Sequence, residues 1–69
     1  METHIDLSPR EQQILALLVK GKTNKEIALE LGICRKTVEF HLANIYSKIK
    51  VRTRTEAVIQ ILNVELGGI

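Results

Sequence analysis

Few side chains in this sequence could do covalent chemistry, and many could hold an anion. Cys34 is the only thiol, and His4 and His41 are the only imidazoles. His41 follows Cys34 by seven positions. On a helix that is about 10 Å along the axis, too far for a cysteine–histidine nucleophilic pair. No catalytic constellation and no metal-ligand spacing is present, so the chain is expected not to be an enzyme and to hold neither metal nor cofactor. The cations are organised differently. Between Arg35 and Arg54 stand Arg35, Lys36, Lys48, Lys50, Arg52 and Arg54 against one acidic residue, Glu39. The segments on either side are net acidic, −1 over Met1 to Cys34 and −2 over Thr55 to Ile69. One contiguous third of the chain is thus suited to a polyanion, although charge alone fits a solvated lysine-rich surface equally well.

A second pattern overlaps the basic segment. Val38, Leu42 and Ile45 recur at helical spacing and define an inward stripe. Lys36, Phe40, Ala43 and Ser47 fall on the opposite side, with Thr37 and Asn44 on one flank and Glu39 on the other. A phenylalanine on the wet side of a helix gains nothing for folding, so Phe40 is either a scattered surface hydrophobe, a protein contact or a reader of some other surface. A helix fits the major groove of DNA, about 12 Å wide, and its outward residues then meet base edges. Phe40 and Ala43 suit a thymine methyl, Asn44 adenine, Glu39 a cytosine amino group, and Lys36 guanine or phosphate. These five are the expected base readers. Lys25, Thr37, Lys48, Arg52 and Arg54 are the expected phosphate contacts, which set affinity and register.

The elements that must position these residues are written in helix start and stop signals. Ser8-Pro9-Arg10-Glu11 has the form of a capping box with proline at the first helical position, followed by Ile14, Leu15 and Leu18 and closed by Lys20-Gly21. Thr23-Asn24-Lys25-Glu26 is a second such box, leading into Ile27, Ala28 and Leu31 and stopped by Gly32. Thr53-Arg54-Thr55-Glu56 is a third, leading into Ala57, Val58 and Ile61. Only Gly32, Ile33 and Cys34 separate the short second helix from the third, and that is the helix-turn-helix pattern. The prediction is an all-α, compact four-helix domain with helices over about residues 9–20, 24–31, 35–49 and 54–66, forming one domain over 1–69. The fourth helix is apolar on nearly all sides. Its outer residues Ile59, Leu62 and Leu66 recur at i, i+3 and i+7, a seam suited to a partner helix, so a homodimer on DNA is expected through this helix.

Composition agrees with a small folded domain: 69 residues, 45% hydrophobic and 26% charged. A single cysteine permits no intrachain disulfide, which favours a reducing, cytoplasmic setting. No apolar run approaches the roughly 20 residues that span a bilayer, and Met1-Glu2-Thr3-His4 lacks the basic and apolar regions of a signal peptide. No membrane association and no small-molecule ligand are expected.

Leu7-Ser8-Pro9-Arg10-Glu11, Gly21-Lys22-Thr23-Asn24-Lys25-Glu26-Ile27-Ala28, Leu31-Gly32-Ile33, Lys36-Thr37-Val38-Glu39-Phe40-His41-Leu42, Asn44-Ile45-Tyr46 and Val51-Arg52-Thr53-Arg54-Thr55-Glu56-Ala57 together resemble the LuxR/GerE-type helix-turn-helix domain, over about Ile5 to Leu62. The resemblance implies a bacterial transcription regulator whose third helix enters the major groove and whose fourth often forms a two-fold contact. RNA polymerase is a further candidate partner. Such domains usually follow a receiver or sensor domain, so the chain is expected to be either an excised effector domain or a stand-alone regulator. Two positions depart from the pattern. Cys34 stands where the family usually caps the third helix with serine, threonine or aspartate, and a thiol is a weak acceptor. Lys50 stands where the family usually ends that helix with glycine, which costs on the order of 1 kcal/mol if the position is left-handed. The competing readings are a sigma-factor-like promoter-reading domain and a protein-interaction module or anti-activator that pairs through the fourth helix.

Overall fold

Residues 6–65 are described by a computed structural model, with side chains described as far as Asn63. Four helices follow in order: α1 Pro9–Val19, α2 Asn24–Leu31, α3 Arg35–Ile49 and α4 Arg54–Glu65. The sequence places all four within a residue of these bounds. Leu66, expected at the end of the last helix and in its partner seam, lies outside the described residues, as do Gly67-Gly68.

The first two starts are as the sequence dictates. Ser8 Oγ accepts from the Glu11 amide at 3.1 Å while Glu11 Oε1 accepts from the Ser8 amide at 3.0 Å. Thr23 and Glu26 exchange the same pair of bonds. The third box is only half formed. Thr53 Oγ1 accepts from the Glu56 amide, but Glu56 Oε1 accepts from the Arg52 amide at 2.8 Å rather than from Thr53. The chain bends at residues 52 and 53, so the carboxylate reaches one residue further back. At the start of α3 the Cys34 side chain makes no capping bond. Its Sγ lies 3.1 Å from Thr37 Oγ1 instead, and this contact holds the thiol below its ordinary pKa.

Two helices end in the same left-handed turn, one with glycine and one without. Gly32 has φ 69° and ψ 34°, and Lys50 has φ 61° and ψ 48°. In both, the amide of this residue and that of the next close onto one carbonyl, Ala28 for Gly32 and Ile33, Tyr46 for Lys50 and Val51. Lys50 is the non-glycine residue with positive φ among the described residues.

The core draws on every helix: Ile14, Leu15, Leu17 and Leu18 from α1, Ile27 and Ala28 from α2, Val38, Leu42, Ile45 and Ile49 from α3, and Ala57 from α4. Leu7, Leu31, Ile33, Tyr46, Val51, Val58 and Ile61 close its edges. An eight-residue α2 could not persist alone in water. It is held because Ile27 and Ala28 lock into this core. That packing fixes the α2–turn–α3 geometry on which any groove reading depends. No helix among the described residues is long and apolar enough to cross a membrane.

Candidate nucleic-acid interface

Helix α3 is sorted by its period into two faces. Val38 and Ile45 are fully buried and Leu42 nearly so. Lys36, Glu39, Phe40 and Ala43 are exposed together on the other side, and Phe40 stands 64% exposed with its ring edge-on to His41 at 5.8 Å. Thr37 and Asn44 are half-buried on the flank. A shallow hollow of about 230 Å³ runs beside this face, lined by Asn24, Glu39, Leu42, Ala43, Tyr46 and Arg54. The start of α2, the wet face of α3 and the start of α4 therefore border one surface.

The cations expected to meet phosphate are not equivalent in the structure. Lys25 is exposed in the first turn of α2, and Arg52 is exposed just before α4. Lys48 Nζ donates to Glu11 Oε1 at 2.7 Å, with the lysine 43% exposed and the glutamate 6%. Glu11 was legible as a capping residue only; it is buried, and its carboxylate also anchors α3 to the start of α1. The Lys48 ammonium, and after it the Ser8 amide, hold the Glu11 carboxyl below its ordinary value of 4.5. Arg54 is half-buried. Its guanidinium donates to Asn24 Oδ1 at 2.9 Å and to the Lys22 carbonyl. In the sequence Asn24 belongs to a capping box, and its type and position there predict no role at the interface. No local spacing signals its link to Arg54, since the two lie thirty positions apart.

The outer side of α4 carries Ile59 at 54% and Leu62 at 40% exposure, while Ala57, Val58 and Ile61 turn inward. Leu29 on α2 is 74% exposed.

A family model described as bacterial regulatory proteins, luxR family, matches residues 6–61. The chain belongs to that family. This luxR-family domain is 52% identical over 56 residues to the transcriptional regulatory protein LiaR of Bacillus subtilis, covering 81% of this chain and 26% of LiaR. It is 46% identical over 56 residues to the spore germination protein GerE of the same organism, covering 81% of this chain and 76% of GerE. In structure it is similar to the DNA binding domain of the response regulator ComA, solved in complex with the anti-activator RapF. The TM-score is 0.77 at 44% identity, over 80% of this chain and 95% of that one. The four-helix, helix-turn-helix architecture is thus the one its relatives share. The chain spans about a quarter of LiaR's length.

Proposed function

We propose that this luxR-family domain reads double-stranded DNA as part of a bacterial transcription regulator acting in the cytoplasm. The observation that carries the reading is the wet face of α3. Lys36, Glu39, Phe40 and Ala43 are exposed together there, on a helix that follows α2 after a three-residue turn. A 64% exposed phenylalanine has no folding rationale and suits a thymine methyl in a major groove. Asn44, on the flank, completes the base-reading set. Lys25, Thr37, Lys48 and Arg52 grip the phosphates beside it. Ile59 and Leu62 on α4 form the seam of a two-fold pair, which sets two copies of α3 about one DNA turn apart, roughly 34 Å.

Selection of bound duplexes from a random pool tests this. The expected product is a two-fold repeat with half-sites about 10 base pairs apart. A pool that shows no enrichment after repeated rounds would overturn it.

A second reading has one observation in its favour. The ComA domain, similar in fold and 44% identical, was solved with a protein anti-activator bound. Protein capture through an exposed apolar face is compatible with DNA reading, and the same selection separates a domain that does both from one that binds protein alone.

A further inference from the structure

Arg54 lies in the basic third of the chain, where the sequence predicts a phosphate contact. Its geometry argues otherwise. The residue opens α4 and is half-buried. One terminal nitrogen donates to Asn24 Oδ1 at 2.9 Å and the other to the Lys22 carbonyl. A planar guanidinium held by two acceptors has its plane fixed, and one N–H of each terminal nitrogen is taken by the protein, which leaves three of its five donors and no pair free on the terminal edge that faces Asn24. Both acceptors belong to the entry into α2. Lys22 precedes the cap, and Asn24 is the first helical residue.

The same bond decides what Asn24 can offer. A side-chain amide has one acceptor oxygen and one NH₂ group. With the oxygen accepting from Arg54, the NH₂ donors remain for a ligand, and the ligand they suit is an acceptor such as a phosphate oxygen. Asn24 is well placed for one. It borders the hollow that Glu39 and Ala43 also line, and exposed Lys25 follows it directly.

We propose that Asn24 is a contact to the DNA backbone and that Arg54 is the positioning residue that orients it, rather than itself a phosphate contact. The inference rests on the DNA-binding reading above. Its chemistry is that of a charge-assisted hydrogen bond to a nonbridging phosphate oxygen, independent of base sequence. Arg54 acts through Asn24 by fixing which end of the amide faces out. It also holds the start of α2 against the start of α4.

The test is a titration of fluorescent mixed-sequence duplex at several salt concentrations with wild type, N24A, R54K, R54Q and the N24A/R54Q pair. Each is used below its melting transition, as followed by circular dichroism. N24A is expected to weaken binding about tenfold, the scale of one hydrogen bond to a charged group. R54Q should weaken it by a similar factor without changing the salt slope, since no counterion-releasing contact is lost. The pair should be no weaker than the worse single variant. R54K keeps the charge but lacks the rigid planar fork that holds both acceptors in one geometry, and it should be as poor as R54Q. A merely structural role for Arg54 would lower the melting temperature and leave the affinity of the folded protein unchanged. The proposal is overturned if N24A binds as wild type, if R54K restores affinity, or if R54Q lowers the salt slope by about 0.9 with effects that multiply in the pair. If R54Q and R54K do not fold, N24A decides alone, because it leaves the bond from Arg54 to Lys22 in place. Wild type that binds no duplex at all would overturn the DNA-binding reading itself, a result distinct from any variant's failure.

Discussion

Replacing Lys50 with glycine should stabilise the domain, and the structure sets the size of the gain. Lys50 sits at φ 61° and ψ 48°, a region that costs a residue with a Cβ roughly 1–2 kcal/mol. Its side chain is exposed and has no hydrogen bond or ion pair among the described residues, so its removal sacrifices little. Its backbone N–H donates to the Tyr46 carbonyl, and glycine keeps that bond. Glycine's extra freedom in the unfolded chain takes back about 0.5–1 kcal/mol. The two ranges together allow a net gain of about 0–1.5 kcal/mol, with its centre at about 0.5–1 kcal/mol. On a domain of this size that raises the melting temperature by about 2–8 °C, scaled from the usual 4–8 °C per kcal/mol. Gly32 provides the reciprocal control, at φ 69° in the same kind of turn, with nothing within 4 Å of where a Cβ would stand. Gly32→Ala should therefore lose about 1 kcal/mol through backbone strain alone. Thermal and urea melts followed by circular dichroism measure both. A neutral or destabilising Lys50→Gly beside a destabilising Gly32→Ala would refute the reasoning for α3.

Phe40→Ala should leave the melting temperature nearly unchanged, because the ring is mostly in water. It should weaken binding to a selected duplex by about 1–3 kcal/mol; a large loss of stability in the same melts would contradict this. Glu11 and Glu26 both ionise below 4.5, Glu11 chiefly through Lys48 and Glu26 chiefly through the Thr23 amide. A carboxyl depressed by folding contributes stability that is present above its unfolded pKa and is lost as pH falls through the folded value. The melting temperature should therefore hold from neutrality down to about pH 4.5 and then drop. Glu11→Gln should lower it at neutral pH and make the acid limb shallower, whereas an unchanged acid limb in Glu11→Gln would remove Glu11 from the account. Ile59→Glu with Leu62→Glu should abolish cooperative filling of two half-sites while leaving a single half-site nearly unaffected, and footprinting that finds cooperativity intact would exclude α4 as the seam.

Local signals carried the fold. Ser8-Pro9 with Glu11 and Thr23 with Glu26 fix where α1 and α2 begin, because each cap is closed within three residues. Gly32 fixes where α2 stops. The two faces of α3 follow from period alone, so the exposure of Phe40 and the burial of Val38 and Ile45 are legible in the sequence. What escaped were the bonds that span the chain. Glu11 meets Lys48 across 37 positions and Arg54 meets Asn24 across 30. Charge counting therefore assigned Lys48 and Arg54 to DNA without showing that each already has a protein partner. The Glu56 carboxylate shows the same failing at short range. Its type and spacing predict a bond to Thr53, but the bend at residues 52 and 53 delivers the Arg52 amide instead.

Whether the wet face of α3 holds DNA is decided by titrating selected and mixed-sequence duplexes across a range of salt. Both duplexes should bind, the selected one more tightly, with log K falling linearly with log salt. Lys25 and Arg52 are exposed cations with no ion pair among the described residues, whereas Lys48 is already paired with Glu11; as phosphate contacts the first two give a slope of about −2 per domain. Affinity for duplex that does not change with salt, or no binding to either duplex at low salt, would contradict it.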